Sequence, residues 1–174
     1  AATLGMIELL WLWDALEHRR WIAAGLLLAL LSYTHLGLPW MALVVMGCYG
    51  AMRPEAWPLL VKASGGWLLA LPWWLHLFRF RTWLQVIPRQ ENAMVEFMPL
   101  MYVLAMRGLW RCGTLRGRCA WPLAWWIGCT LLAFRFLYRW VSGEGMLPII
   151  LLAGIGLTGL AQFLGKHSGR ETAF

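Results

Sequence analysis

The chain has 174 residues, 61% of them hydrophobic, with 14 tryptophans and a net charge of +7. No soluble domain of this size can bury so much apolar surface, so the composition excludes an ordinary water-soluble globule. It points to a bilayer, whose hydrocarbon core of roughly 30 Å takes about 20 apolar residues per helix. Thirteen of the 15 basic residues are arginines, placed where apolar runs end, which fits membrane topology and lipid phosphate rather than nucleic acid.

The pattern predicts an all-α, polytopic transmembrane helix bundle of about seven segments, some short or broken. Residues 1–165 form the membrane domain and residues 166–174 a polar tail. The first segment covers residues 3–16 and ends at Glu17-His18-Arg19-Arg20. An apolar helix already under way at residue 1, with no basic n-region or cleavage site, predicts a fragment of a longer protein rather than a signal peptide. The second segment covers residues 21–33. A break at Thr34-His35-Leu36-Gly37-Leu38-Pro39 precedes the third, residues 39–52, because Gly and Pro interrupt a helix. Residues 53–58 form a proline-marked turn, and the fourth segment follows at 59–78. Residues 79–92 are the longest polar stretch. The fifth, sixth and seventh segments cover 93–110, 120–138 and 145–164.

The second segment is too short to cross a bilayer alone. Residues 21–52 are therefore either one broken crossing or a hairpin of two short helices. Cytoplasmic loops collect Lys and Arg. With residues 17–20 inside, the hairpin puts ten basic residues inside and five outside, whereas a single crossing gives seven against eight. The charge bias favours the hairpin. Trp21, Trp40, Trp73, Trp110 and Trp140 lie near helix ends, as interfacial rings do. Ala120, Ala124 and Gly128, and the shorter pair Gly25 and Ala29, are small-residue stripes that admit close helix approach. Of the four cysteines, Cys112 and Cys119 have poor metal spacing, and all four read as thiols. No metal site is read.

Five arginines remain outside, where the bias rule expects few. Arg135 and Arg139 are four apart and share a helix face. They lie just before Ser142-Gly143-Glu144, where the seventh segment starts with free N–H groups. Two guanidiniums there suit a phosphate clamp, and equally suit side chains reaching for headgroups or pairing with Glu144. Arg79, Arg81 and Glu91 sit in the loop that follows the fourth segment. It suits a sugar or headgroup, or simply a solvated loop. His35, at the break on the same side, is either a ligand or catalytic group or a structural cap. No nucleophile–base pair or paired-carboxylate motif appears, so the catalytic residues are not read.

The run WIAAGLLLALLSYTHLGLPWMALVVMGCYGAM, residues 21–52, resembles the helix–break–helix of the GT-C fold integral membrane glycosyltransferases. Leu69-Ala70-Leu71-Pro72-Trp73-Trp74-Leu75 and Phe134-Arg135-Phe136-Leu137-Tyr138-Arg139, followed by Met146-Leu147-Pro148, are similar to later segments of that family. Leu36 stands where the family often has proline. The resemblance implies transfer of a sugar from a polyprenyl-phosphate donor to an acceptor at the extracytoplasmic face of a bacterial plasma membrane. Arg135 and Arg139 would hold the lipid phosphate, and the catalytic acidic residue would lie upstream of residue 1. The implied partners are membrane lipid and the lipid-linked sugar; no cofactor is identified, and a divalent metal stays open. A lipid or small-solute transporter or flippase, using the same arginines as a polar pathway, is the alternative, followed by a non-catalytic membrane subunit. No internal repeat supports the transporter.

Overall fold

A computed structural model describes residues 2–80, 99–114, 120–133 and 145–167. The chain divides into two compact units, residues 1–92 and 93–174. Among the described residues all regular structure is helical, with no strand.

The first unit begins with α1 (Ala2–Glu17), α2 (Trp21–Thr34) and α3 (Leu38–Met52). Helix α1 stops at Arg19, which takes a left-handed conformation with φ 57°. The Arg20 N–H then donates to Ala15 O at 2.8 Å and the Arg19 N–H to Leu16 O at 3.0 Å. This is the two-bond closure normally reserved for glycine, and it satisfies carbonyls the helix end would leave bare. The chain turns back into α2, so the start of α1 meets the α2–α3 break: a Cβ on Gly5 would lie 3.5 Å from the His35 Cβ. At the far end of α3, Glu17 and Arg19 lie close enough to act electrostatically on Tyr49, and Arg19 on Glu55. Residues 21–52 are thus folded back on themselves. Leu9, Leu12, Leu28, Leu31, Met41 and Val45 fill the space between the three helices, each fully buried.

The fourth segment, expected as one helix over residues 59–78, is broken in two. Helix α4 (Trp57–Ser64) gives way to a 3₁₀ stretch, Gly65–Ala70, and then α5 (Leu71–Arg79). Gly65 and Gly66 weaken the helix, and Pro72 has no N–H to give Leu68 O. The Leu71 N–H takes that carbonyl instead, closing the tighter turn. The break also brings Gly66 onto Gly25 of α2, so that a Cβ on Gly66 would overlap Gly25 backbone. Before α4, Arg53 pairs with Glu55 at 3.1 Å. Glu55's carboxyl is held below its usual range, first by a backbone hydrogen bond and then by Arg53.

The second unit holds α6 (Pro99–Thr114), α7 (Ala120–Ala133) and α8 (Met146–His167). Helices α6 and α8 run parallel. Tyr102 meets Met146 Sδ at 4.0 Å near their starts, and Arg111 bonds Gln162 near their ends. Between these points Gly108 and Gly156 let the two backbones touch. A Cβ on Gly108 would overlap Leu152 O, and one on Gly156 would overlap Leu104 O. Ala105, Ile149, Leu152 and Ala153 form the core, with Trp126 of α7 against it. The Ala120, Ala124 and Gly128 stripe is buried throughout, as expected for a packing surface.

Within α8, Met146–Gly165 is 20 residues long with mean hydropathy 2.0, long and apolar enough to cross a bilayer. Only 28% of its most apolar window is buried against the rest of the chain, unlike the core helix of a soluble protein. Helices α2 and α3 and residues 120–132 are apolar but shorter. Cys48 and Cys129 are thiols, whereas Cys112 is disulfide-bonded, which corrects the expectation of four thiols.

Contact between backbones at Gly108 and Gly156 makes a sharp contrast with Gly154, where an added Cβ meets nothing within 4 Å. Gly156→Ala should lower the unfolding free energy by about 1–3 kcal/mol. Gly154→Ala should be neutral or raise it by up to about 1 kcal/mol. Both are read from the denaturant midpoint in detergent micelles.

Candidate functional site

Glu8, Thr34 and His35 gather where α1 begins and α2 gives way to α3. Glu8 is the one charged side chain among the buried described residues, with 3% of its surface exposed. It lies on an apolar helix, where a bare carboxylate is costly. Thr34 Oγ1, at the last residue of α2, donates to Glu8 Oε2 at 2.5 Å. This bond ties α1 to the end of α2.

His35 follows directly. Its Nδ1 accepts the Gly37 N–H at 3.1 Å and the Leu38 N–H at 3.2 Å. These amides open α3 and have no partner within that helix. The imidazole therefore caps the broken helix, and both bonds need Nδ1 without a proton. That nitrogen is committed to the backbone and is not offered to a metal or a substrate.

Tyr33 extends this end outward. Its hydroxyl donates to Leu69 O at 3.2 Å in the 3₁₀ stretch. From Tyr33 a row of rings leads away: Tyr33 to Trp73 at 6.0 Å, Trp73 stacked on His76 at 6.1 Å, and His76 to Phe80 at 4.8 Å. Arg79 ends the row, its guanidinium 5.9 Å from the Phe80 centroid. Beside it, Trp40, Trp67 and Trp74 form a triangle with centroids 5.2 to 5.8 Å apart. Edge-on pairs at such distances match the opposite charge of ring faces and edges. The indole nitrogens of Trp67, Trp73 and Trp74 are buried, and no described residue accepts a hydrogen bond from them.

Of the residues singled out from sequence, His35 and Arg79 therefore belong to one end of the first unit, linked through this row rather than in contact. Arg81, Glu91, Arg135 and Arg139 lie outside the described residues. No cluster of three or more His, Cys, Asp or Glu with metal-holding geometry occurs among the described residues. Sequence reasoning passed over Glu8. A lone carboxylate inside an apolar run is itself a signal, but its partner 26 positions away could not be found without the fold.

No family model, curated protein or solved structure matches this chain.

Replacing His35 by Ala should free the Gly37 and Leu38 amides and cost about 1 kcal/mol, as loss of a helix cap does. His35→Asn, whose side-chain oxygen can accept the same amides, should keep most of it. Hydrogen exchange at the two amides reads the difference directly.

Proposed function

We propose that this chain is the membrane-embedded, all-α polytopic part of a glycosyltransferase. It moves a sugar from a polyprenyl-phosphate donor to an acceptor at the extracytoplasmic face of a bacterial plasma membrane. Membrane embedding is supported by the outward face of the helices. Leu100 is 72% exposed and Val103 65%, on a helix whose Ala105 and Gly108 are buried. Buried hydroxyls turn to their own helix, as where no water can serve them: Ser32 Oγ donates to Leu28 O at 3.0 Å.

The observation that carries the sugar reading is the tryptophan group beside the α2–α3 break. Ring surface suits a carbohydrate, whose C–H faces are apolar, and Trp40, 48% exposed, offers such surface at the edge of the group. The row of rings leads to Arg79, at the start of the loop that carries Arg81 and Glu91. On this reading Arg135 and Arg139 hold the lipid phosphate as charge develops on the leaving group. The resemblance of residues 21–52, 69–75 and 134–148 to GT-C enzymes adds the reaction class.

A lipid or small-solute transporter is a second reading, and buried Glu8 favours it, because an intramembrane carboxylate often marks an ion or substrate path. The two separate in one pair of measurements. For the transferase, Arg135→Ala in the full-length protein should abolish sugar transfer from a polyprenyl-phosphate donor while membrane insertion stays intact. Unchanged transfer would remove the clamp. For the transporter, Glu8→Gln would abolish solute flux, with no sugar transfer detectable in the parent.

Orientation has its own test. The ten-to-five charge bias puts residues 107–118 in the cytoplasm, whereas disulfides such as that of Cys112 favour oxidising compartments. In a chain keeping Cys112 as its single cysteine, a membrane-impermeant maleimide should label only permeabilised cells. Labelling of intact cells would invert the topology.

A further inference from the structure

The second unit holds a groove, of about 770 Å³, that the transferase reading does not use. It lies between the ends of the parallel helices α6 and α8. Arg107, Trp110, Arg111, Gly159, Gln162 and Phe163 line it. Arg107 and Arg111 are four residues apart and share one face of α6. Across from them Gly159 leaves the room that Arg111 occupies, since a Cβ there would sit 2.6 Å from Arg111 Nη1. The guanidinium of Arg111 thus lies across α8 and donates to Gln162 Oε1. Arg107 is exposed, its guanidinium 5.9 Å from the Phe163 centroid. Two positive charges therefore converge, and none of the described lining residues is acidic.

The position of the groove along α8 names the kind of anion that would meet these guanidiniums. Gln162 and Phe163 stand in the last turn of the Met146–Gly165 span, which in a bilayer would be the boundary between acyl chains and headgroups. Trp110 is 83% exposed and Phe163 51%, so large rings face outward at the same level as the arginines. Interfacial aromatics take this position, and the lipid phosphates lie just beyond it. Arginine matches phosphate oxygens with two parallel bonds.

We infer that the Arg107–Arg111 groove binds the phosphate of an anionic phospholipid, with Trp110 and Phe163 against its acyl chains. The site shares with the proposed function only the bilayer. It is independent of the sugar chemistry and of Arg135 and Arg139. A free phosphate would satisfy the same guanidiniums, but it would have no use for the apolar rim.

Native mass spectrometry of the full-length protein in detergent, titrated with phosphatidylglycerol or phosphatidylcholine, tests this. The parent protein should hold phosphatidylglycerol about tenfold more tightly than phosphatidylcholine, since each basic residue near a headgroup contributes on the order of 1 kcal/mol. Arg107→Gln, at an exposed position, should lose much of that preference, and Arg107→Gln with Arg111→Gln nearly all of it. Phosphatidylcholine adducts should stay at parental values in both variants, and the thermal midpoint at the parental value in Arg107→Gln. Equal affinity for the two lipids in the parent, or a preference that survives the double variant, would overturn the site. Displacement of phosphatidylglycerol by inorganic phosphate alone would overturn the lipid assignment in favour of the free ion. A protein that stays dispersed without detergent would overturn the bilayer reading itself, which the lipid comparison leaves distinct.

Discussion

Contact of backbone with backbone at glycine organises both units. Gly66 meets Gly25 in the first, and Gly108 meets Gly156 in the second. In water, helices associate because burial removes apolar surface from solvent. Between acyl chains that driving force vanishes, and association falls to close van der Waals contact and interhelical hydrogen bonds. Neither develops unless the helix axes can approach, and only a missing Cβ allows that. On the proposed membrane reading, the exposed Leu, Val and Phe side chains on the outer surfaces need no cover from the chain itself.

The polar groups follow from the same constraint. Where they are buried, backbone and hydroxyl groups need internal partners. Ser32 and Ser64 turn back onto Leu28 and Leu60 carbonyls. The α2–α3 break leaves amides without helical partners, and His35 accepts them. Glu8 is satisfied by Thr34 from the same corner. The break is thus a place where backbone, carboxylate and imidazole are mutually satisfied, and it gives the adjoining tryptophans a fixed base.

Functionally the two units differ in character. The first packs aromatic rings beside a capped break, and Glu8, the one buried carboxylate among its described residues, is held by a hydroxyl. The second presents cationic groups framed by rings at the end of a membrane-length helix. On the proposed readings, the first suits a sugar and the second an anionic headgroup. Both are assembled from residues that hydropathy alone would class as helix ends.

The sequence by itself determined the helical class, because apolar runs of 13 to 20 residues punctuated by Arg, Gly and Pro admit little else in an apolar solvent. It also located the α2–α3 break at residues 34–39. Local chemistry governs these features, so local letters reveal them. Tertiary structure decided what depends on distant partners. Gly65 and Gly66 looked like ordinary helix residues until Gly25 was seen against them. Gly108 and Gly156 lie 48 positions apart and share no local pattern. Glu8 gained meaning from Thr34, and Arg111 from Gly159 and Gln162. In each case the deciding quantity is a separation between side chain and backbone across two helices, which single-helix periodicity does not encode.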